Sequence, residues 1–427
     1  MKAEIYSTAI CPYCVRAKML LEKRNINYVE YRIDQDNKMF EKMLELSGGR
    51  QSVPQIFIDE KHIGGFDDLV DLDLEGGLDN NEWSIKNYIN KMSATDAIIV
   101  GAGSWGKALA HTLVINKKKI TIYSRNKENN SQNISKINNI DEVFQNKSPV
   151  IIATPVNSLK EIGNIIKKNN FEGPIILACK GIDAETGLFP SQILSSFTST
   201  NNLAVLSGPS FAAEVIKNKP TAVTIASSNK NVLEVFTEMF HSKFFRVYAS
   251  NDIIGCQLGG AMKNILSVAV GISDGLGLGP NAKAALITRG ILEIKSLGEM
   301  LNCNDRTIYG LSGLGDLVLT ANDDLSRNRS FGLEIAKGLS IKEAEKKIGH
   351  IVEGIYASKG LNILIKKHSL NLPICSKVFD IINGQISPAD AVNELLVREQ
   401  TKEFVWFYKY EDVITRIKCC INYLNII

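Results

Sequence analysis

Residues 97–106, Ala-Ile-Ile-Val-Gly-Ala-Gly-Ser-Trp-Gly, carry a short apolar strand pattern straight into G-x-G-x-x-G. Gly101 permits a tight turn and Gly103 lets the backbone approach a pyrophosphate. Gly106 lets the next helix pack close to its sheet, so that the helix N-terminus faces the phosphates. A lone G-x-G-x-x-G is a weak signal, but a strand before it and a helical stretch after it make a dinucleotide fingerprint. The next strand runs out into Arg125, where an NAD site would place Asp or Glu on the ribose 2′-hydroxyl. Arginine suits a 2′-phosphate, so NADPH is the expected cofactor and NADH the second choice. A solvated strand-end arginine is the competing explanation.

The fingerprint also sets the periodicity to look for. Strand patterns at 97–100, 120–123, 150–153, 175–179 and 203–206 alternate with helical stretches, as in a doubly wound parallel sheet. After about residue 250 the strands stop, and the chain to 402 reads as helical with several glycine-rich interruptions. Ahead of the fingerprint, strands at 3–6, 28–33, 54–59 and 60–63 and helices at 15–24, 38–47 and 66–74 give a β-α-β-α-β-β-α order, a complete small domain. The expected divisions are a domain at 1–80, a linker at 81–95, a nucleotide-binding domain at 96–250, a helical substrate domain at 251–402 and an unassigned tail at 403–427.

Composition excludes several classes. At 44% hydrophobic and 22% charged, the 427 residues look globular, and no run approaches the roughly 18 consecutive apolar residues of a membrane span. Net charge is +3, which makes no case for nucleic acid. Residues 1–83 carry −6 and the remainder +9, which fits a second half that handles anions, or ordinary scatter of surface charge. The N-terminus lacks a signal-peptide pattern, and eight cysteines in so long a chain form no disulfide framework. A reducing cytoplasm is therefore expected, where a paired CxxC is catalytic or metal-binding. The sequence leaves a homodimer open.

Cys11-Pro-Tyr-Cys14 stands between a strand and a helix. A helix N-terminus stabilises a thiolate, and Cys14, one turn on, can resolve a mixed disulfide. Zinc needs about four ligands, and no second CxxC or HxxxH lies within this domain, so no metal is expected. Val53-Pro54 before a strand is by itself a strand start. In a thioredoxin-like fold it is the cis-Pro loop facing the CxxC. Together with Gly64-Gly65-Phe66-Asp67-Asp68, these motifs make residues 1–79 resemble the glutaredoxins. The resemblance implies reduction of disulfides, protein disulfides among them, and of glutathione mixed disulfides. Cys11 would be the nucleophile, and glutathione would lie against Val53, Pro54, Asp67 and Asp68. Thr8 stands where many members have Lys, and Arg16 is a partial substitute.

In the second half, strand ends carry Ala153-Thr-Pro155, Ala178-Cys-Lys180-Gly181 and Ser207-Gly-Pro-Ser210-Phe-Ala212. A Lys at the end of a buried strand needs an anionic partner or a depressed pKa. Lys263 sits alone in a small, apolar helical context, and lysine is rarely buried without a partner or a task. Asp316 and Ser326-Arg327-Asn328-Arg329 add a carboxylate and a basic, hydroxyl-rich cluster suited to phosphate, though caps and surface charges explain these about as well. It is the order GAGSWG, ACKG, SGPSFAAE, GGAMKN, LITRG, GLGDL, SRNRSFG, VEG that resembles the bacterial-type NAD(P)-dependent glycerol-3-phosphate dehydrogenases over residues 96–400.

That resemblance implies reduction of dihydroxyacetone phosphate to sn-glycerol 3-phosphate for phospholipid synthesis. It implies Lys263 as general acid/base and Lys180 as a group that stabilises the developing alkoxide and touches both ligands. Gly208, Ser210, Asp316, Ser326, Arg327 and Asn328 match substrate positions. Ser104, Trp105, Arg125, Ala212, Arg327, Ile351 and Glu353 match cofactor positions. Residues 127–139 are shorter than the family pattern and Asn-rich, so part of the adenosine-side wall is expected to be missing. The fold class that follows is α/β: a thioredoxin-like domain, a Rossmann doubly wound parallel sheet, then an all-α substrate domain. The N-terminal domain is expected to act as an independent thiol reductase. The alternative is a redox-sensing or targeting module that regulates the dehydrogenase.

Overall fold

Alternation of apolar side chains explains the first sheet. Ala3, Ile5, Ile56 and Ile58 pack on one face with Ala17, Leu21 and Leu69, while Tyr6 and Phe57 meet Met43 on the other. The period of two thus covers both faces with helices. The computed structural model describes residues 2–24, 26–74, 96–124, 134–145 and 147–398. The expected linker at 81–95, Arg125, residues 127–133 and the tail at 403–427 lie outside the described residues.

The first unit runs Lys2–Ser7 (β1), Pro12–Lys23 (α1), Asn27–Arg32 (β2), Asn37–Leu46 (α2), Gln55–Ile58 (β3), Lys61–Gly64 (β4) and Phe66–Leu74 (α3), the element order expected. Its sheet has the order β2-β1-β3-β4, with β1 parallel to β2 and antiparallel to β3. The helix after the thiols starts at Pro12 rather than residue 15, with Cys11 as its N-cap. Proline is tolerated at the first helical position because its missing N–H had no intrahelical acceptor there. Cys14 therefore lies inside the first turn.

The second unit begins with Ala97–Val100 (β5), Ser104–Ile115 (α4), Ile120–Tyr123 (β6), Ile134–Ile137 (β7), Asp141–Gln145 (α5), Val150–Ile152 (β8), Leu159–Lys168 (α6) and Ile175–Leu177 (β9). It continues through Pro190–Leu194 (α7), Leu203–Ser207 (β10), Ala212–Ile216 (α8), Thr221–Ser227 (β11), Lys230–Phe240 (α9) and Phe245–Ser250 (β12). The sheet order is β12-β11-β10-β9-β8-β5-β6-β7. Ile99, Ile151 and Ile176 point into one apolar layer, and Ile98, Val150 and Ile175 into the other, so the sheet is wound on both faces. Strand order reverses at β5, which pairs with β6 on one side and β8 on the other. That is the switch point where ligands gather beyond the strand ends.

Three strands exceed the sequence reading. β7 adds a parallel edge strand inside the 127–139 stretch, which periodicity had given no element. β11 and β12 extend the other edge, and β11 is antiparallel to β10, so the sheet is not wholly parallel. β7 is only four residues long, and β12 is buried only at alternate positions.

Beyond residue 250 come Ile253–Gly275 (α10), Gly279–Met300 (α11), Asp305–Ile308 (α12), a π-helical turn at Leu311–Gly315, Asp316–Asn322 (α13) and Arg327–Ala336 (α14). Ile341–Ile348 (α15), Glu353–His368 (α16), Pro373–Ile382 (α17) and Pro388–Leu396 (α18) complete the described chain. α10 is long and apolar enough to cross a membrane by length and composition, yet 89% of its apolar window is buried inside this bundle. It is the core helix of the second half. The glycines read as interruptions do not break it. A Cβ on Gly271 would lie 2.0 Å from Arg329 O, and one on Gly332 would lie 2.2 Å from Val268 O. These glycines let α14 lie directly against α10, which brings Asn328 to Asn264.

Candidate functional site

At the thiol pair, the Cys11 and Cys14 sulfurs are joined as a disulfide, with Cα atoms 5.3 Å apart. Cys14 N donates to Cys11 Sγ at 3.0 Å, the cap interaction of α1. Cys11 keeps only 9% exposure and Cys14 1%. Val53-Pro54 is a cis peptide, and Cys11 Sγ lies 3.6 Å from Val53 O. The proline loop thus faces the thiols. Phe66, the first residue of α3, has its ring 6.2 Å from that of Tyr13, which sets the start of α3 beside the CxxC. Asp67 and Asp68 are exposed in that first turn, and Asp68 accepts from Gly65 N at 2.7 Å. The Arg16 guanidinium stacks over Tyr13 at 5.9 Å. By contrast, Cys179, Cys256, Cys303 and Cys375 are free thiols. Burial pushes Cys179 and Cys303 up to about 12 and Cys256 up to about 11, which keeps them protonated.

The second site is a buried charge cluster. Lys263 Nζ, in the middle of α10, donates to Asp316 Oδ1 at 2.7 Å and Thr320 Oγ1 at 2.9 Å. Lys180 Nζ, beyond the end of β9, donates to Asp316 Oδ2 at 2.5 Å and Gly208 O at 2.9 Å. Asp316 is fully buried and sits at the start of α13, where the helix N-terminus favours a carboxylate. Burial opposes its charge, but Lys180 and Lys263 together hold its carboxyl below the ordinary value. Burial pushes the Lys180 ammonium down to about 8; Asp316 resists this and Lys263 adds to it. Two ammonium groups share one carboxylate, so these three residues together carry one net positive charge, suited to an anionic ligand, with the Glu353 carboxylate close enough to act on Lys180.

Around this cluster, Ser210 Oγ donates to Gly208 O at 3.0 Å. Ser326 is the buried N-cap of α14, its hydroxyl accepting from Arg329 N at 3.2 Å. Arg327 is exposed at the first position of that helix, and Asn328 is buried against Asn264. The phosphate-like grouping therefore splits: Arg329 turns away to pair with Asp274 and Asp324.

At the switch point, Gly101 has φ +118°, and a Cβ there would meet Ala153 O at 2.8 Å. A Cβ on Gly106 would overlap Gly101 O at 1.9 Å, whereas Gly103 has open space at that position. Gly103 and Ser104 are exposed at the start of α4. Trp105 Nε1 donates to Ala178 O at 3.0 Å, tying the glycine turn to the strand end that carries Lys180. Ala212 opens α8, half-buried. A cleft of about 600 Å³ is lined by Pro155, Lys180, Gly181, Ile351 and Glu353. An open helix N-terminus at the switch point fits the phosphates of a dinucleotide.

Two polar contacts escaped sequence reasoning. Thr320 holds Lys263, and a signal existed, since Asp316 and Thr320 are four residues apart on one helix face. Asn264 follows Lys263 directly but had been given no role; its side chain donates to Glu353 Oε2 at 2.9 Å.

Comparison with known proteins agrees with both halves. Residues 3–63 match the glutaredoxin family. Residues 129–233 and 252–393 match the N-terminus and C-terminus families of NAD-dependent glycerol-3-phosphate dehydrogenase. The chain is 39% identical over 324 residues to a glycerol-3-phosphate dehydrogenase [NAD(P)+] of Halothermothrix orenii, covering 70% of this chain and 94% of that protein. It is 40% identical over 331 residues to the protein of the same name in Legionella pneumophila, covering 73% and 100%. The crystal structure of glycerol-3-phosphate dehydrogenase from Coxiella burnetii superposes with a TM-score of 0.67 at 36% identity, covering 71% of this chain and 99% of that one.

Proposed function

Because this chain belongs to the NAD(P)-dependent glycerol-3-phosphate dehydrogenase family and carries a glutaredoxin domain at its N-terminus, we propose that it reduces dihydroxyacetone phosphate to sn-glycerol 3-phosphate. We propose further that its N-terminal domain reduces disulfides at the expense of glutathione. The observation that carries the first reading is the Lys180–Asp316–Lys263 cluster, a buried cationic pocket beside the dinucleotide cleft.

NADPH or NADH, when bound, supplies hydride to the C2 carbonyl carbon. Lys263 Nζ, held by Asp316 and Thr320, delivers the proton to the C2 oxygen. Lys180, pinned by Asp316 and Gly208 O, stabilises negative charge on that oxygen as it develops. Ser326, Arg327 and Asn328, with Gly208 and Ser210, hold the phosphate end. Gly101, Gly103, Ser104, Trp105, Gly106, Ala212, Ile351 and Glu353 form the cofactor wall. The product feeds glycerophospholipid synthesis. NADPH is the preferred donor on the strength of Arg125 in the sequence.

At the thiol site, the Cys11 thiolate attacks a substrate disulfide and expels one thiolate. Cys14 then displaces the second, leaving the Cys11–Cys14 disulfide, and two glutathione thiols restore the dithiol as they become glutathione disulfide. Val53 O beside Cys11 Sγ supports docking of an extended thiol substrate against the proline loop, with Asp67 and Asp68 on the glutathione amine. The four free thiols among the described residues favour a reducing cytoplasm.

The test uses the full chain. Wild type is expected to oxidise NADPH when given dihydroxyacetone phosphate and to reduce a glutathione mixed disulfide. Lys263→Ala lowers the first rate by about a thousandfold and spares the second; Cys11→Ser does the reverse. Dehydrogenase turnover that persists in Lys263→Ala removes that residue from the chemistry. A dehydrogenase rate that differs between oxidised and reduced wild type, but not in Cys11→Ser, turns the N-terminal domain into a regulator.

A further inference from the structure

Between the cofactor and substrate sides lies a ring of three hydrogen bonds. Asn264 Nδ2 donates to Glu353 Oε2 at 2.9 Å, Asn328 Nδ2 donates to Asn264 Oδ1 at 2.9 Å, and Gly354 N donates to Asn328 Oδ1 at 2.9 Å. Glu353 and Gly354 are consecutive, so the ring closes through one peptide. Asn264 and Asn328 are 2% and 7% exposed, which leaves them without competing water.

Both amide orientations are dictated from the ends. A carboxylate can only accept and a peptide N–H can only donate, so each asparagine has one workable orientation. Space is equally constrained. A Cβ on Gly354 would lie 2.9 Å from Asn264 O and 3.1 Å from Asn328 Oδ1, so the ring needs glycine there. Glu353 lines the cleft with Lys180, and Asn328 follows Ser326 and Arg327.

We propose that Asn264 is a positioning residue that aligns Glu353 toward the cofactor and Asn328 toward the substrate, coupling the two halves of the site. This rests on the dehydrogenase reading above. Asparagine is the residue suited to the task, since it must donate to a carboxylate and accept from an amide through one short side chain. Aspartate has nearly the same shape but no donor unless it is protonated, and it sets a second carboxylate against Glu353. Such a pair shares a proton, which moves one of the two pKa values upward. Lys180 and Cys179, just beyond β9, both feel Glu353, Lys263 lies on α10, and Lys160, Asp183, Glu185, Tyr356 and Lys359 line the same cleft. Lys180 moderates the rise but cannot supply the missing hydrogen bond.

The experiment is NADPH titration by fluorescence on the full-length wild type, Asn264→Asp and Asn264→Ala proteins between pH 6 and 8, with and without glycerol 3-phosphate. Wild-type affinity is expected to vary little with pH and to change when glycerol 3-phosphate is present. Asn264→Asp should bind nearly as wild type at pH 6, where the shared proton restores the donor, and about tenfold more weakly at pH 8. Asn264→Ala should bind weakly throughout and lose the effect of glycerol 3-phosphate. Near-native binding of Asn264→Asp at pH 6 also shows that this variant is folded. A pH-independent Asn264→Asp, or a wild type indifferent to glycerol 3-phosphate, overturns the proposal. Failure of wild type to turn over dihydroxyacetone phosphate would instead sink the functional reading, and the pH profile of binding would still judge Asn264.

Discussion

The thiol pair and the lysine–aspartate cluster differ in how far apart in the chain their parts lie. Cys11 and Cys14 share one helical turn, and Val53 O and the start of α3 are brought to them from a distance. The cluster unites residues from positions 180, 208, 263, 316 and 320, on two strand ends and two helices. The first site takes its chemistry from a helix N-terminus. The second takes it from burial, where charges must satisfy one another. A local site tolerates change elsewhere in its fold. An assembled one fails when any of its partners is removed.

Asp316→Asn breaks that contrast most sharply. It leaves two buried ammonium groups without an anion, at a cost of about 3 kcal/mol, and a drop of about a thousandfold in dehydrogenase rate is expected. Thermal melting and steady-state rates check this, and thiol reduction by the same protein should be unchanged.

Next comes pH. With Lys180 at about 8, kcat/KM for dihydroxyacetone phosphate should decline above about pH 8 as that ammonium loses its proton. Stability should move the other way. Because the folded-state value lies below the ordinary 10.5, the charged form costs stability below pH 8, and the cost is relieved as pH rises toward 10.5. Asp316 acts in the opposite range. Its depressed carboxyl contributes stability above its ordinary value of 3.8, and this is lost as pH falls through its folded-state value. A flat kcat/KM profile through pH 9 would dissociate Lys180 from the reaction.

The smallest effect belongs to Asp68→Ala. It removes the acceptor of Gly65 N and should cost about 1 kcal/mol in the N-terminal domain. A few-fold rise in KM for glutathione mixed disulfides is expected, with no change in dehydrogenase rate.

Much of the fold was legible because its signals are local. Alternating strands and the glycine turn at 101–106 depend on near neighbours, and Cys11-Pro-Tyr-Cys14 marks the passage from strand to helix, although the helix begins three residues earlier than periodicity placed it. The thiol site was legible for the same reason. At the assembled site, Lys180, Lys263 and Asp316 could be named from the order of motifs, but not their shared carboxylate geometry. Thr320 and Asn264 were missed because a threonine or asparagine on a helix is ordinary until its partner is known.

Sequence alone therefore determined most of the elements and where reactive residue types fall along the chain, since backbone sterics and side-chain period act over a few residues. Tertiary structure decided the rest. It set β11 antiparallel to β10 and formed β7 from a stretch that carried no pattern. It laid α14 on the glycines of α10, and so brought Asn328 to Asn264 and Asp316 between two lysines. Those outcomes depend on which faces meet, because a buried charge is stable only beside a partner that the chain delivers from far away.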